Sequence, residues 1–506
     1  MSARNPKKQG SGHYCTIPAG SSQCLRHLIK FMTWSIRMIG QIEKVINFTN
    51  DALYSYVLII LLVLGGIYFS FRTRFAQFRL LGQQFKAVTE KNDKKGVSSF
   101  QALMVSTASR VGTGNIIGVA TAICLGGFGS VFWMWVIALI GAASAFVEST
   151  LAQIYKKRGI DGCYGGPAYY IEAATKKKWL AAAFSVFLIL TYGFGFNMLA
   201  SYNLQSTFSS YSFYNESYTP WIIGLVIAVL VGYCLIGGGK RIISVTSLLV
   251  PVMGAIYIIV AIVISLININ TFPYIFKQIF VGAFDLRAIF GGFGGSCVMY
   301  GIKRGLFSNE AGVGSAPNAS ASADISHPAK QGLVQVLSVF IDTLLVCTAT
   351  AFMCMSSGVT PPTNSNQAAT YVQDSLSATL GSFGPIFVTA AMILFAFTTL
   401  LGNLYYVNKA INYLLGKEPS KTFRNIYYVI ASLVIFVGAG LSADLLWGIA
   451  DITMGAMAII NMPVIIYLGK YAIRALKDYE RQLKKGGEIT FNKKDIDLPH
   501  ETDYWN

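Results

Sequence analysis

The chain has 506 residues, 54% of them hydrophobic and only 12% charged, with a mean hydropathy of +0.52. That balance excludes a soluble globular domain and places the chain among polytopic α-helical membrane proteins. A transmembrane β-barrel would show short alternating segments in place of long apolar runs.

In chain order, residues 1–37 are polar or mixed and lack a signal-peptide pattern. They read as a tail, disordered or interfacial, with Met38 as an alternative start. Residues 25–48 carry the pattern of an amphipathic helix lying on a membrane. Apolar runs long enough to cross a core about 30 Å thick follow. They fall at 52–71, 100–125, 130–155, 179–208, 220–238, 242–268, 283–304, 331–357, 383–413, 424–441 and 444–472, which makes eleven predicted spans.

Lysine and arginine alternate between the loops. The segment after span 1 carries seven, from Arg72 to Lys95, and the 3–4 loop carries six, Lys156 to Arg158 and Lys176 to Lys178. The 2–3, 4–5, 8–9 and 10–11 connections carry none, and the 6–7 loop only Lys277. Basic loops stay cytoplasmic, which predicts an outside N-terminus and a cytoplasmic C-terminus in the plasma membrane. On this reading 30 of the 40 basic residues lie on the cytoplasmic side. The net charge of +17 is thereby accounted for without a nucleic-acid partner.

Span 2 departs from a plain membrane helix. Its centre reads Arg110-Val111-Gly112-Thr113-Gly114-Asn115. Interrupted backbone survives at membrane depth only where protein or a water-filled cavity surrounds it. A half-helix starting there would point its N–H groups at an anion, and unwound carbonyls beside it could hold a cation. The alternative is a glycine-lined contact between helices. Removing span 1 leaves ten spans, and a five-and-five split gives halves of opposite topology. Each half then opens on a glycine-interrupted span, the second at Gly291-Gly292-Phe293-Gly294-Gly295. The predicted organisation is a tail at 1–37, an extra helix with its basic segment at 38–99, repeats at 100–268 and 283–472, and a cytoplasmic tail at 473–506.

Asn115 could offer its amide oxygen to a cation and its NH2 to a carboxylate, or bridge two helices. Thr113 and Gly114 could give N–H groups to the same carboxylate. Thr398 and Thr399, a hydroxyl pair deep in span 9, either face a cation or bond back to their own helix. Arg110, Glu148, Glu310 and Asp342 are ionisable groups in or near spans, with functional and helix-pairing readings both open. Gly237-Gly238-Gly239-Lys240-Arg241 lacks P-loop spacing and reads as a tight turn. The eight cysteines read as packing residues, with no disulfide framework or transition-metal site. No cysteine–histidine pair or metal-spacing motif supports an enzyme, and no cofactor is implied.

Several stretches resemble the alanine or glycine:cation symporter family. They are VGTGNIIGVATAI (111–123), VFWMWVIALIGAASAFVESTLAQIYK (131–156), GGPAYYI (165–171), GLFSNEAGVGSAPNASA (305–321) and HPAKQGLVQVLSVFIDTLLVCTATA (327–351). The resemblance runs from about Met38 to about Arg474. It implies a leucine-transporter-like inverted repeat after one extra helix, and uptake of a neutral amino acid with sodium or protons. GTGN is also similar to the GLGN of neurotransmitter:sodium symporters. By that similarity Thr113, Gly114 and Asn115 face substrate, and Ala108 and Val111 lend carbonyls to a sodium completed by Thr398 and Thr399. Phe293 and Gly294 would line or lid the pocket. Ala200 stands where many members have glutamine, and Asn403 where many have tryptophan. Both substitutions imply a larger, more polar pocket, with glutamine or asparagine ahead of alanine. An amino-acid-responsive channel or sensor of the same fold is the alternative reading.

Overall fold

The computed structural model describes residues 46, 48–50, 52–90, 96–159, 162–284, 297–499 and 501–505. Among them the chain is mostly helical. A π-helical turn, Leu53–Leu58, leads into α1, Ile59–Arg72. Next come α2, Ser99–Arg110, and α3, Gly114–Gly126, which bend by 51° at the residues between them. The long helices that follow are α4 (Ser130–Ile154), α5 (Lys178–Ser206), α6 (Thr219–Ile236) and α7 (Gly238–Ile267). After α8, Cys297–Asn309, come α9 (Pro328–Met355), α10 (Phe383–Leu415), α11 (Lys421–Gly438) and α12 (Ala443–Lys485). Seven of the described helices are long and apolar enough to cross a membrane, and eight if α2 and α3 count as one bent span. The only sheet among the described residues is a two-stranded antiparallel hairpin, β1 (Lys157–Gly159) with β2 (Gly162–Tyr164).

Local chemistry accounts for the helix ends. At the start of α2 the Ser98 hydroxyl accepts from the Gln101 N–H at 3.1 Å, and Gln101 Oε1 accepts from the Ser98 N–H at 3.0 Å. This reciprocal pairing satisfies two N–H groups that a helix start leaves open. Between α6 and α7 only Gly237 lies outside a helix, and Gly238, whose φ of +67° suits glycine, opens α7; the tight turn expected over GGGKR is confined to its first two residues, and Gly239, Lys240 and Arg241 are already helical. The α12 helix overruns predicted span 11. It continues to Lys485 because no glycine follows Gly469 until Gly486, at φ +73°. Its 43 residues span about 64 Å at 1.5 Å per residue.

Packing separates inner from outer helices. The α4 run Gly141-Ala142-Ala143-Ser144-Ala145 is buried throughout. A Cβ on Gly332 of α9 would lie 2.2 Å from Thr150 Oγ1, so small residues set the α4–α9 approach. In contrast α6, α7 and α11 leave Leu225, Val229, Leu248, Ile259, Val429 and Leu433 exposed. Apolar faces of that kind suit lipid.

The basic segments meet at one end of the molecule. Lys330 bonds Glu90, Val97 pairs with Ala323, and Tyr413 bonds Glu172. The chain beyond α12 folds back onto that end. Arg474 donates to the Ile496 carbonyl at 2.9 Å, and Tyr504 donates to Asp324 Oδ1 at 2.6 Å. Trp505 Nε1 donates to the Gln153 carbonyl at 2.8 Å, and Lys156 lies 3.8 Å over the Tyr504 ring. Of the predicted 473–506 tail, the residues to Lys485 continue α12, and the described residues beyond it, 486–499 and 501–505, form a strap that packs against the helices. The apolar residues Ile496, Leu498 and Trp505 explain why, since all three are buried.

Trp505→Ala would remove a buried ring and an indole hydrogen bond. A loss of about 3 kcal/mol is expected for such a truncation. It should appear as a melting temperature lower by several degrees in a thermal scan of detergent-purified protein, and an unchanged melting point would mean that the strap adds no stability.

Candidate functional site

The break between α2 and α3 is built by one side chain. Gly112 N–H is the group that a continuing helix would direct at the Ala108 carbonyl. It donates instead to Asn115 Oδ1 at 2.8 Å. Val111 N–H still reaches the Thr107 carbonyl at 2.7 Å, and Asn115 N–H bonds the Gly112 carbonyl at 3.1 Å. The helix stops at Arg110, and carbonyls of its last turn lose their usual donors. All residues from 112 to 118 are buried.

Span 9 lies directly against the break. A Cβ on Gly112 would come within 1.9 Å of Thr399 Oγ1. That hydroxyl is buried and bonds to no other described group. Thr398 does not share its position. Its hydroxyl donates to the Leu394 carbonyl at 3.0 Å and the Phe395 carbonyl at 3.2 Å on its own helix, and it faces Met253. The expected pair reduces to one hydroxyl, because neighbouring helix positions lie about 100° apart and cannot both face Gly112.

Span 4 closes another side. Phe196, Ala200 and Asn203 follow one helix face at i, i+4 and i+7. Asn203 Nδ2 donates to Thr113 Oγ1 at 3.2 Å, and the Phe196 ring lies 4.4 Å from the ring of Phe307. Phe307 Cε1 would sit 2.8 Å from a Cβ on Gly114. Trp447 covers Phe307 edge-on at 4.8 Å, and the Arg304 guanidinium stacks on Trp447 at 3.8 Å. Arg304 and Lys303 both pair with buried Asp451, at 2.8 and 3.0 Å.

The structure thus gathers Ala108, Val111, Thr113, Gly114, Asn115, Ala200 and Thr399 around one buried point. Asn403 lies one turn along α10 from Thr399. Its Oδ1 accepts from Ser109 Oγ at 2.7 Å and its Nδ2 donates to Asn197 Oδ1 at 3.0 Å. Its amide is already engaged on both sides. Phe293 and Gly294, with the rest of Gly291–Gly295, lie outside the described residues. A different interruption follows α8, where Glu310, Gly312 and Gly314 take φ values of +53°, +83° and +90°.

The buried charges have partners that the sequence alone does not assign. Arg110 donates to Gln335 at 2.9 Å. Glu148 accepts from Asn461 Nδ2 at 3.0 Å, and Glu310 from Ser109 at 3.0 Å and Ser315 at 2.7 Å. Asp342 accepts from Asn115 Nδ2 at 2.7 Å. Phe307, Phe196, Trp447 and Asn203 are the residues that sequence reasoning missed. Phe307 carried a signal through its place in the GLFSNEAGVGSAPNASA stretch, and Phe196 and Asn203 through theirs at the two ends of FNMLASYN (196–203), the stretch that holds Ala200. A cavity of about 930 Å³ opens elsewhere, lined by Lys157, Arg158, Lys178, Lys409 and Lys417 among others. It touches none of the residues of the break.

The chain matches the sodium:alanine symporter family over residues 39–493. It is 41% identical over 464 residues to the amino-acid carrier protein AlsT of Bacillus subtilis, covering 92% of this chain and 97% of that one. The probable sodium/glutamine symporter GlnT of the same organism is 42% identical over 457 residues, 89% of this chain and 94% of that one. The sodium/alanine symporter AgcS of Methanococcus maripaludis is 36% identical over 448 residues, 86% of this chain and 97% of that one.

Gly112→Ala should drive its methyl into Thr399 Oγ1. Overpacking of this kind costs about 1–3 kcal/mol, and at least a five-fold loss of transport is expected. Gly112→Ala with Thr399→Ala should recover the melting temperature, since the nearest remaining atom is then Cβ, at 3.1 Å. A single variant with wild-type stability would show that the two helices are not in contact there.

Proposed function

The chain belongs to the sodium:alanine symporter family, a family of transporters, and from that membership and the geometry of the break we propose cation-coupled symport of a neutral amino acid into the cell, with sodium as the first candidate ion. The observation that carries the ion reading is the Thr399 hydroxyl. It is buried without a partner and faces the break between α2 and α3, where a membrane helix has released carbonyls. Ala108 and Val111 carbonyls with Thr399 Oγ1 form an all-oxygen set suited to a small hard cation. Thr398 has no part in it.

The substrate carboxylate is assigned to the start of α3, where Thr113 and Gly114 lie at a helix N-terminus. The aromatic group of Phe307, Phe196 and Trp447 closes over it. Rocking of this closure around a fixed site would give alternating access. The proposed arrangement for that motion is eleven spans in a five-plus-five inverted repeat after one extra helix. The convergence of the basic segments at one end supports a cytoplasmic C-terminus and an outside N-terminus.

A relative named for glutamine is 42% identical to this chain and one named for alanine 36%. Ala200 lies on the same helix face as Phe196 and Asn203, and its small side chain, where many members of the family have glutamine, favours a neutral amino acid larger than alanine. Asn403 contributes less than its amide first suggests, because Ser109 and Asn197 hold both of its ends.

Uptake of labelled alanine, glycine, serine, asparagine and glutamine into proteoliposomes, with and without a sodium gradient, tests the reading. Glutamine or asparagine should compete with alanine, and uptake without concentration would favour a channel. Thr399→Ala should raise the sodium concentration for half-maximal uptake by about five-fold or more, from a ligand loss of about 1–3 kcal/mol. Thr398→Ala should leave it unchanged. The reverse order would move the ion site away from Gly112.

A further inference from the structure

The carboxylate of Asp342 is used by neither the ion site nor the substrate pocket. It lies in α9, fully buried, in the π-helical stretch Phe340–Cys347. Such widened turns often occur at functional sites. Oδ1 accepts from Asn115 Nδ2 at 2.7 Å, and Oδ2 accepts from Ser308 Oγ at 2.8 Å and Thr343 Oγ1 at 2.8 Å. All three donors are neutral. Three separate elements, α3, α8 and α9, therefore converge on one acid.

The charged and titratable groups nearby are occupied with other partners. Arg110 of α2 donates to Gln335, and acts on Asp342 only through space. Glu148 of α4 is held by Asn461, and Glu310, just past α8, by Ser109 and Ser315. Lys303 and Arg304 of α8 pair with Asp451. Tyr257 of α7 bonds Thr350 at 2.7 Å. Cys347, on the same helix as Asp342, lies 3.2 Å from Ser308 Oγ and 3.3 Å from Asn115 Nδ2. A full negative charge met by neutral donors in the middle of a span is costly, and a bound monovalent cation relieves that cost.

We propose that the Asp342 carboxylate, with the Ser308 and Thr343 hydroxyls, is a second monovalent-cation site, taking a proton or a sodium ion, and that Asn115, whose NH2 donates to that carboxylate, links its occupancy to the helix break. This deepens the symport reading and rests on it. The link is direct, because the two ends of one amide hold Asp342 and the Gly112 N–H. A cation on the carboxylate weakens Oδ1 as an acceptor for Asn115 Nδ2. Asn115 is then less firmly held, and with it the backbone of the break. The second cation would enter and leave in the same cycle as the substrate.

The test compares the wild type with Asp342→Asn, a near-isosteric neutral variant, in proteoliposomes. Reversal potentials give the charge moved per labelled glutamine or alanine, and radioactive sodium gives the sodium count. The expected result is one fewer positive charge per substrate. If the ion is a proton, stimulation by an acid outside pH disappears and the sodium count stays. If it is sodium, the sodium count falls by one. An unchanged charge ratio with an unchanged pH profile would overturn the proposal.

Ser308→Ala serves where Asp342→Asn fails to accumulate. Losing one donor favours the protonated acid, so a pH midpoint of uptake should move upward, or the sodium requirement should rise several-fold. No shift in either overturns the proposal. A wild type with no cation-driven uptake would instead overturn the symport reading, and this inference with it.

Discussion

The structure depends on one hydrogen bond, from the Gly112 N–H to Asn115 Oδ1. In hydrocarbon a helix cannot simply stop, because each released N–H and C=O must find a partner. Asn115 supplies that partner from three residues away and frees carbonyls on the other side of the break. Its other end donates to Asp342, while its own carbonyl accepts from Thr350 Oγ1 at 2.7 Å. The break is therefore fixed from α9 as well as from within. A glycine-lined packing contact would need no such wiring, and that alternative has no account of the buried, unpartnered Thr399 hydroxyl.

Much of the helical layout was legible in the sequence, and the reason is hydropathy. Long apolar runs and basic loops are dictated by the bilayer, and they leave a strong pattern. The GTGN interruption was legible because glycine, hydroxyl and amide are poor choices for plain lipid contact. What stayed hidden depends on rotation about helix axes. Thr398 and Thr399 are neighbours in sequence, and nothing in FAFTTLLG says which one faces Gly112. Asn403 reads as a free amide until Ser109 and Asn197 are seen at its two ends. Phe307, Phe196 and Trp447 come from three distant segments, and ordinary aromatics in apolar runs give no sign of meeting.

The ionisable groups teach a related lesson. Sequence reading could name Arg110, Glu148, Glu310 and Asp342 but not sort them. In the structure Arg110 has an amide partner, Glu148 is held by Asn461, Glu310 meets Ser109 at the end of α2, and Asp342 holds Asn115, the side chain that builds the break. Asp451, which the sequence reading passed over, collects two basic side chains beside the aromatic closure. Its position ties α8 to α12, the elements that carry Phe307 and Trp447.

The folded-back strap after α12 has a practical side. Trp505 is packed against the end of α4 with its indole bonded to Gln153. A bulky reporter or affinity tag placed next to Trp505 would compete with that ring for the same seat.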